Sequence, residues 1–239
     1  MTSGIDILEK IVRSRRERLG RIGHSQGLQL PPERQVPLVP FPESPFLMCE
    51  VKRSSPSAGT IAKMPDPTTQ VDLYTSAGVK AVSVLTEEEF FGGSLRDLEK
   101  LKSRNPDTFF LRKDFLLEPE DIDISWRIGA DAVLLIAALL EPRRMEELYH
   151  RAVYLGLEVL VEVHNSEEIE KIRSLRPATV GINARDLRDF SIDCSPRSPF
   201  QPYSTGRREK SSNRESGRRN TPRWPSPTAS KECWWERRS

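Results

Sequence analysis

Residues 157–165, LEVLVEVHN, form a short segment with two unlike faces. Side chains along a β-strand point alternately to opposite sides. Leu157, Val159, Val161 and Val163 therefore share one wholly apolar face, which packs under helices, and Leu160, Glu162 and His164 share the other. The same parity recurs in the neighbouring apolar runs. In FLMCEVK (46–52), Leu47, Cys49 and Val51 point outward and Met48, Glu50 and Lys52 inward. Phe109, Leu111 and Lys113 share one face of TFFLRKD, and Thr179, Gly181 and Asn183 share one face of ATVGINARD. Each inner face turns polar near its C-terminal end.

Working outward, six such runs alternate with helical patterns. The strands are FLMCEVK, KAVSVLTE, TFFLRKD, DAVLLIAALL, LEVLVEVHN and ATVGINARD. Between them lie DPTTQVDLYTSAG, SLRDLEKLKSRN, EPEDIDISWRIGA, EPRRMEELYHRAVYLG and SEEIEKIRSLRP, each opening on an acid, Ser or Pro suited to a helix start. Six βα units imply a parallel sheet, either doubly wound or closed into a barrel. No G-x-G-x-x-G turn follows the first strand, which counts against dinucleotide binding. Glu50, Lys52, Lys113, Glu162 and Asn183 gather at one end of the strands, as active-site groups do at the top of a barrel. Buried charges need partners, so a structural Lys/Glu network capping the barrel is the alternative. The expected class is α/β, a (β/α)8 TIM barrel preceded by an extra helix, with strands seven and eight missing.

The chain has 239 residues and a net charge of +2, so no partner class follows from overall charge. Its three cysteines form no C-x-x-C pair, which suits a reducing compartment. The N-terminal MTSGIDILEKIVRSRRERLG has scattered charges and reads as an amphipathic helix, not a signal peptide. No apolar run approaches the roughly 18 residues of a membrane span, so a cytoplasmic protein is expected. His24, His150 and His164 are expected at the surface. Residues 195–239 contain no Leu, Ile, Val or Met, and eleven Lys or Arg against four Glu. Such a segment buries too little apolar surface to offset its ordering entropy. The expected organisation is a barrel domain over 1–194 and a disordered basic tail over 195–239.

CEVKRSSPSAG, LTEEEFFGGS, LRKDF, GADAVLLIAALL, LVEVHN and GINARDL, in this order, resemble the successive strand-end motifs of indole-3-glycerol phosphate synthases. The opening ILEKIV helix is similar to that family's extra N-terminal helix, and the likeness runs from about Ile5 to Asp193. The resemblance implies ring closure, decarboxylation and dehydration of 1-(2-carboxyphenylamino)-1-deoxyribulose 5-phosphate, with no cofactor and no metal. It implies Lys113 as general acid, Lys52 on the substrate carboxylate and Glu162 as base, with Glu50 and Asn183 holding hydroxyls and neighbouring charges. Ser55 and Pro56 match the loop near the phosphate and carboxylate, Phe91 (with Phe90) an aromatic wall, and Arg185 a polar group beyond the sixth strand. An intact member is expected to be a monomer acting on a small phosphorylated substrate, with no membrane and no nucleic acid. Two rivals remain: another phosphate-binding barrel lyase or isomerase, and a degenerate barrel whose basic tail binds nucleic acid.

The family pattern breaks after GINARDLRDFSID. A seventh strand ending in E-S-G and an eighth with a V-G-E or I-G-S phosphate-binding turn should follow. Glu215-Ser216-Gly217 is no substitute, since its flanks contain no strand pattern. SSNRESG can be encoded TCG TCG AAT CGG GAA TCC GGN; begun one base earlier with G, those bases read V-V-E-S-G-I-R. ECWWERRS, as GAG TGC TGG TGG GAG AGG CGC TCN, becomes G-V-L-V-G-E-A-L in the same shifted frame. Both missing motifs thus emerge in one frame and in order, which points to a net one-base loss near Asp193 to Ser195. The coding DNA is expected to show this; an uninterrupted ancestral frame across the tail would refute it.

Overall fold

The computed structural model describes residues 7–43, 46–55, 59–60, 65–183 and 234–237, with backbone alone at 55, 59–60 and 234–237. Helix α1 (Ile7–Ile22) leads through the Pro-rich connector into strand β1 (Met48–Val51). Then α2 (Pro67–Ser76), β2 (Ala81–Leu85), α3 (Leu95–Arg104), β3 (Phe109–Lys113), α4 (Pro119–Arg127) and β4 (Ala132–Ile136) alternate. Helix α5 (Pro142–Tyr154), β5 (Glu158–Val163), α6 (Ser166–Ile172) and β6 (Thr179–Ile182) complete the series. Helix starts follow the local chemistry. The Ser94 hydroxyl accepts from the Arg96 N–H, and Glu118 and Asp121 form a capping box ahead of Pro119.

The six strands pair in parallel and in chain order, curling into a half-barrel. Register carries Met48 beside Ala81, Ala81 beside Phe109, Ala132 beside Glu158 and Leu160 beside Thr179. Parity sorts the core as the sequence implies. Val133, Leu135, Leu157, Val159, Val161 and Val163 pack outward with Met145 and Leu148 of α5. Val51, Val82, Val84 and Phe110 pack outward with Val71 of α2 and Leu95, Leu98 and Leu101 of α3. Ala81, Phe109, Leu111, Ala132, Leu134 and Leu160 fill the lumen. Leu47 departs from the expected outer layer: it precedes β1 and is 65 % exposed.

The connector is stitched beneath the strands. Asp131 takes the Lys102 ammonium at 2.8 Å, the Arg34 guanidinium at 2.8 Å and the Val39 N–H at 2.9 Å. Phe41 then packs on the Phe109 ring, centroids 4.9 Å apart, closing the N-terminal end of the lumen.

At the opposite end a second ionic cluster ties α1 to the sheet. Arg15, on the α1 face that also buries Leu8, Ile11 and Leu19, reaches Asp114 at 2.8 Å and Asp121 at 3.1 Å. Arg112 is fully buried on the helix-facing side of β3 and donates to Asp114, Thr86, Ser125 and the Asp121 carbonyl. His24, 27 % exposed, also meets Asp121 at 3.0 Å, so this histidine stands at the surface edge of the cluster. The sequence analysis placed buried charge only in the lumen. The outer layer holds it too, because each charge there has several partners.

Among the described residues there is no seventh or eighth parallel strand. Trp234–Arg237 instead runs antiparallel beside β6, pairing Ile182 with Trp234 and Thr179 with Arg237. An open strand edge accepts any extended segment, and an antiparallel neighbour needs no crossover helix. The expected boundary at 194 and the rest of the tail lie outside the described residues.

Asp114 supplies part of the acid sensitivity of this fold. Burial alone would raise its carboxyl, but Arg15, Arg112 and the Thr86 hydroxyl outweigh that and hold it at about 2. A folded-state value below the ordinary carboxylate range gives stability that is present above that range and lost as pH falls through it. The loss amounts to about 2–3 kcal/mol between roughly pH 5 and pH 1. Urea midpoints of the chain are expected to fall across that window, and Asp114→Asn to remove this part of the acid dependence while lowering stability at neutral pH.

Candidate active site

The inner-face polar residues meet around the C-terminal end of the half-barrel. Glu50 leaves β1, Lys52 follows it, Lys113 ends β3, Glu162 leaves β5 and Asn183 follows β6. The Lys113 ammonium donates to Glu50 Oε2 at 2.6 Å, and Lys52 Nζ lies 3.5 Å from Glu50 Oε1. Burial raises the Glu50 carboxyl, yet the two lysines outweigh it and leave the group below its ordinary range, hence ionised at neutral pH. Across the lumen, Asn183 Nδ2 donates to Glu162 Oε1 at 3.1 Å. The space between is lined by Ser83, Leu111, Lys113, Leu134, Leu160, Glu162 and Gly181. Its apolar walls strengthen every charge facing into it.

Gly181 keeps this space open, since a Cβ there would stand 3.3 Å from Leu160 Cδ1. One wall therefore presents cations and the other a carboxylate held by an amide. Such an arrangement can hold an anion, protonate a developing oxyanion and remove a proton from one small molecule.

Phe91 is buried at the rim, with Lys52 Nζ 5.9 Å above its ring and Phe115 6.1 Å away. Its loop is folded by Glu87, whose carboxylate accepts the N–H groups of Glu89 (3.0 Å), Phe90 (2.7 Å) and Phe91 (3.1 Å). Burial raises the Glu87 carboxyl, partly countered by those hydrogen bonds. The loop is held to α1 by Arg18 on Glu88 and Ser14 on Glu89. It is held to the chain after β1 by Arg53, which donates to Asp97 and to the Gly92 carbonyl. Ser55 lies in a two-residue strand pairing with Gly59–Thr60 in that same segment. Pro56 and Arg185 lie outside the described residues.

Glu87 and His164 stand at the site without having been singled out from sequence. An acid just ahead of an aromatic pair and Gly92-Gly93 is a turn-folding signal, and it was legible. His164, expected at the surface, is largely buried beside Glu162, with Nε2 3.6 Å from Glu162 Oε1. Strand parity had already put it on the inner side. His150 is exposed, as expected. Among the described residues no group of three His, Cys, Asp or Glu side chains is placed to hold a metal. No described helix is long and apolar enough to cross a membrane.

Removing the Glu87 carboxylate strands three backbone donors at the edge of the site. Glu87→Ala is expected to cost about 1–3 kcal/mol in urea unfolding, with the ring environment of Phe91 altered in the NMR spectrum of the folded variant. An unchanged unfolding midpoint would contradict the role given to this side chain.

The chain was compared with known proteins. The family profile for indole-3-glycerol phosphate synthase matches residues 8–220. The indole-3-glycerol phosphate synthase of Leifsonia xyli subsp. xyli is 40 % identical over 187 residues, covering 78 % of this chain and 72 % of that one. The enzyme of the same name from Geobacillus kaustophilus is 41 % identical over 189 residues, covering 77 % and 72 %. That from Bacillus mycoides is 38 % identical over 189 residues, covering 79 % and 74 %. With the strand-end residues gathered in one lumen and the match spanning most of the chain, this protein belongs to the indole-3-glycerol phosphate synthase family, carboxy-lyases of tryptophan biosynthesis that act on a small phosphorylated substrate.

Proposed function

We propose that Lys113, Lys52, Glu50, Glu162 and Asn183 carry out the family reaction on 1-(2-carboxyphenylamino)-1-deoxyribulose 5-phosphate. The observation that carries this is the division of the lumen, with two lysines about Glu50 on one wall and Glu162 with Asn183 on the other. The aromatic carbon bearing the carboxylate attacks the ketone, and Lys113 gives a proton to the forming alkoxide. Lys52 holds the carboxylate until the C–C bond breaks and CO2 leaves. Glu162 then takes a proton as hydroxide departs with a proton from the lysine side, so one water is released. Glu50 holds both ammonium groups in place, and Asn183 orients Glu162. Phe91 packs against the anthranilate ring, Ser55 and Pro56 belong to the loop near the phosphate and carboxylate, and Arg185 binds substrate from beyond the sixth strand.

The sequence over 195–239 carries no pattern for the two closing βα units, nor for the phosphate cradle they would bring. Among the described residues β1 ends the sheet on one side and only the four-residue Trp234–Arg237 strand covers β6 on the other, a split core that favours association over solubility. The protein is therefore expected to be poorly soluble and essentially inactive, while its frame-restored counterpart is a cytoplasmic, monomeric enzyme with no nucleic-acid partner.

The test is an indole-forming assay on two proteins, this chain and the same chain with one base restored near codon 194. Turnover is expected only in the restored protein, and Lys113→Met there is expected to lower kcat by about 10²–10⁴-fold. Wild-type-like turnover by the present chain would refute the claimed damage. Activity in neither would refute the assigned reaction for these residues.

A further inference from the structure

Besides the two ionic clusters of the fold, a largely buried ionisable chain runs from the start of α6 into the lumen, and the reaction above uses only its Glu162. Glu168, in the first turn of α6, accepts the His164 backbone N–H at 2.8 Å and an Asn165 amide N–H at 2.9 Å. The same carboxylate stands 3.1 Å from His164 Nδ1. On the other side of the ring, His164 Nε2 stands 3.6 Å from Glu162 Oε1, the oxygen that also accepts from Asn183. The side chains of all three residues are at most 13 % exposed.

The chemistry of these groups assigns the protons. Burial raises the Glu168 carboxyl, but the ring and backbone hydrogen bonds of His164, its charge and the amide of Asn165 outweigh it, so Glu168 stays ionised and only accepts. The nitrogen facing it, Nδ1, must then carry hydrogen. That leaves Nε2 of the neutral ring with a lone pair turned towards a carboxylate. Two lone pairs facing one another at this distance repel, and a proton placed between them removes the repulsion. Among the described residues, Glu162 from β5 and Glu168 from α6 are charged groups facing the ring, and Asn165 and Asn183 are neutral amides on those carboxylates.

We propose that Glu168, His164 and Glu162 form a carboxylate–imidazole–carboxylate relay, in which His164 receives the proton that Glu162 removes during dehydration. The Glu162 O–H bond breaks and the His164 Nε2–H bond forms. The resulting imidazolium lies between two carboxylates, and it later gives its proton to water. Glu162 returns to the ionised state needed for the next turnover. His164 acts through Glu162 and is a positioning and proton-storing residue. This inference rests on the base role proposed for Glu162.

The test is made on the full chain with ¹⁵N-labelled imidazoles, read by solid-state NMR on sedimented protein, which needs neither high solubility, substrate nor turnover. The chain contains three histidines, and His24→Asn with His150→Asn leaves His164 as the sole signal. At high pH the neutral ring is expected in the Nδ1–H form, the minor tautomer of a solvated histidine. On titration, Glu162→Gln and Glu168→Gln are each expected to reduce its proton affinity about tenfold, one pH unit in midpoint. An Nε2–H ring overturns the proposal, as does a midpoint indifferent to Glu162→Gln, or one above the pH of turnover, where the ring is already charged and cannot receive the proton. If a Gln variant does not fold, the tautomer in the parent chain still decides, because an unfolded or solvated ring gives the Nε2–H form. Failure of the indole assay with an Nδ1–H, Glu162-coupled ring would overturn the assigned reaction but not the relay geometry.

Discussion

Asp114 carries its charge where water does not reach, and the end of the half-barrel is organised around keeping it there. Two guanidinium groups arrive from opposite directions, Arg15 from α1 and Arg112 from β3 itself, and Thr86 adds a hydroxyl from the end of β2. A charge of this kind costs several kcal/mol to desolvate and is tolerated only when its partners are fixed. Asp114 therefore welds α1, two strand ends and, through Asp121, the start of α4 into one unit. Lys113 is its neighbour in sequence, so the backbone that aims Lys113 into the lumen is the same backbone that the cluster immobilises.

The lumen inherits its chemistry from that rigidity. Glu50 sits between two ammonium groups, which keeps it ionised and keeps both lysines near the cavity mouth. Glu162 is served differently, by an amide on one side and an imidazole beyond. The two carboxylates thus have unlike partners, ammonium groups for one and an amide and an imidazole for the other. The loop bearing Phe91 is held by Glu87 and by α1, so the N-terminal helix contributes to the rim as well as to the cluster below it.

Where the barrel should close, the sheet ends instead on a short antiparallel strand at β6. Parallel strands are joined by crossover helices and depend on long-range pairing, and among the described residues no parallel strand follows β6. The six units before that point are self-consistent, with outer apolar layers under their helices.

Much of this was legible before any coordinates. Two-residue parity in LEVLVEVHN and FLMCEVK separated outer valines from inner Glu162, Glu50 and Lys52, because pleating leaves a strand residue no other choice of face. Ser, Pro and acids at the helix starts were equally plain, being satisfied within a few residues. What remained hidden depends on partners far apart in the chain. Arg15 lies 99 residues from Asp114 and Lys102 29 from Asp131, so their burial could not be read from local pattern. His164 is the opposite case: Glu162 and Glu168 lie two and four residues from it in sequence, so these contacts were within reach of the local pattern of a strand end running into a helix start. Local sequence determines direction and periodicity; which charges meet, and which are taken out of water together, is decided by the tertiary fold.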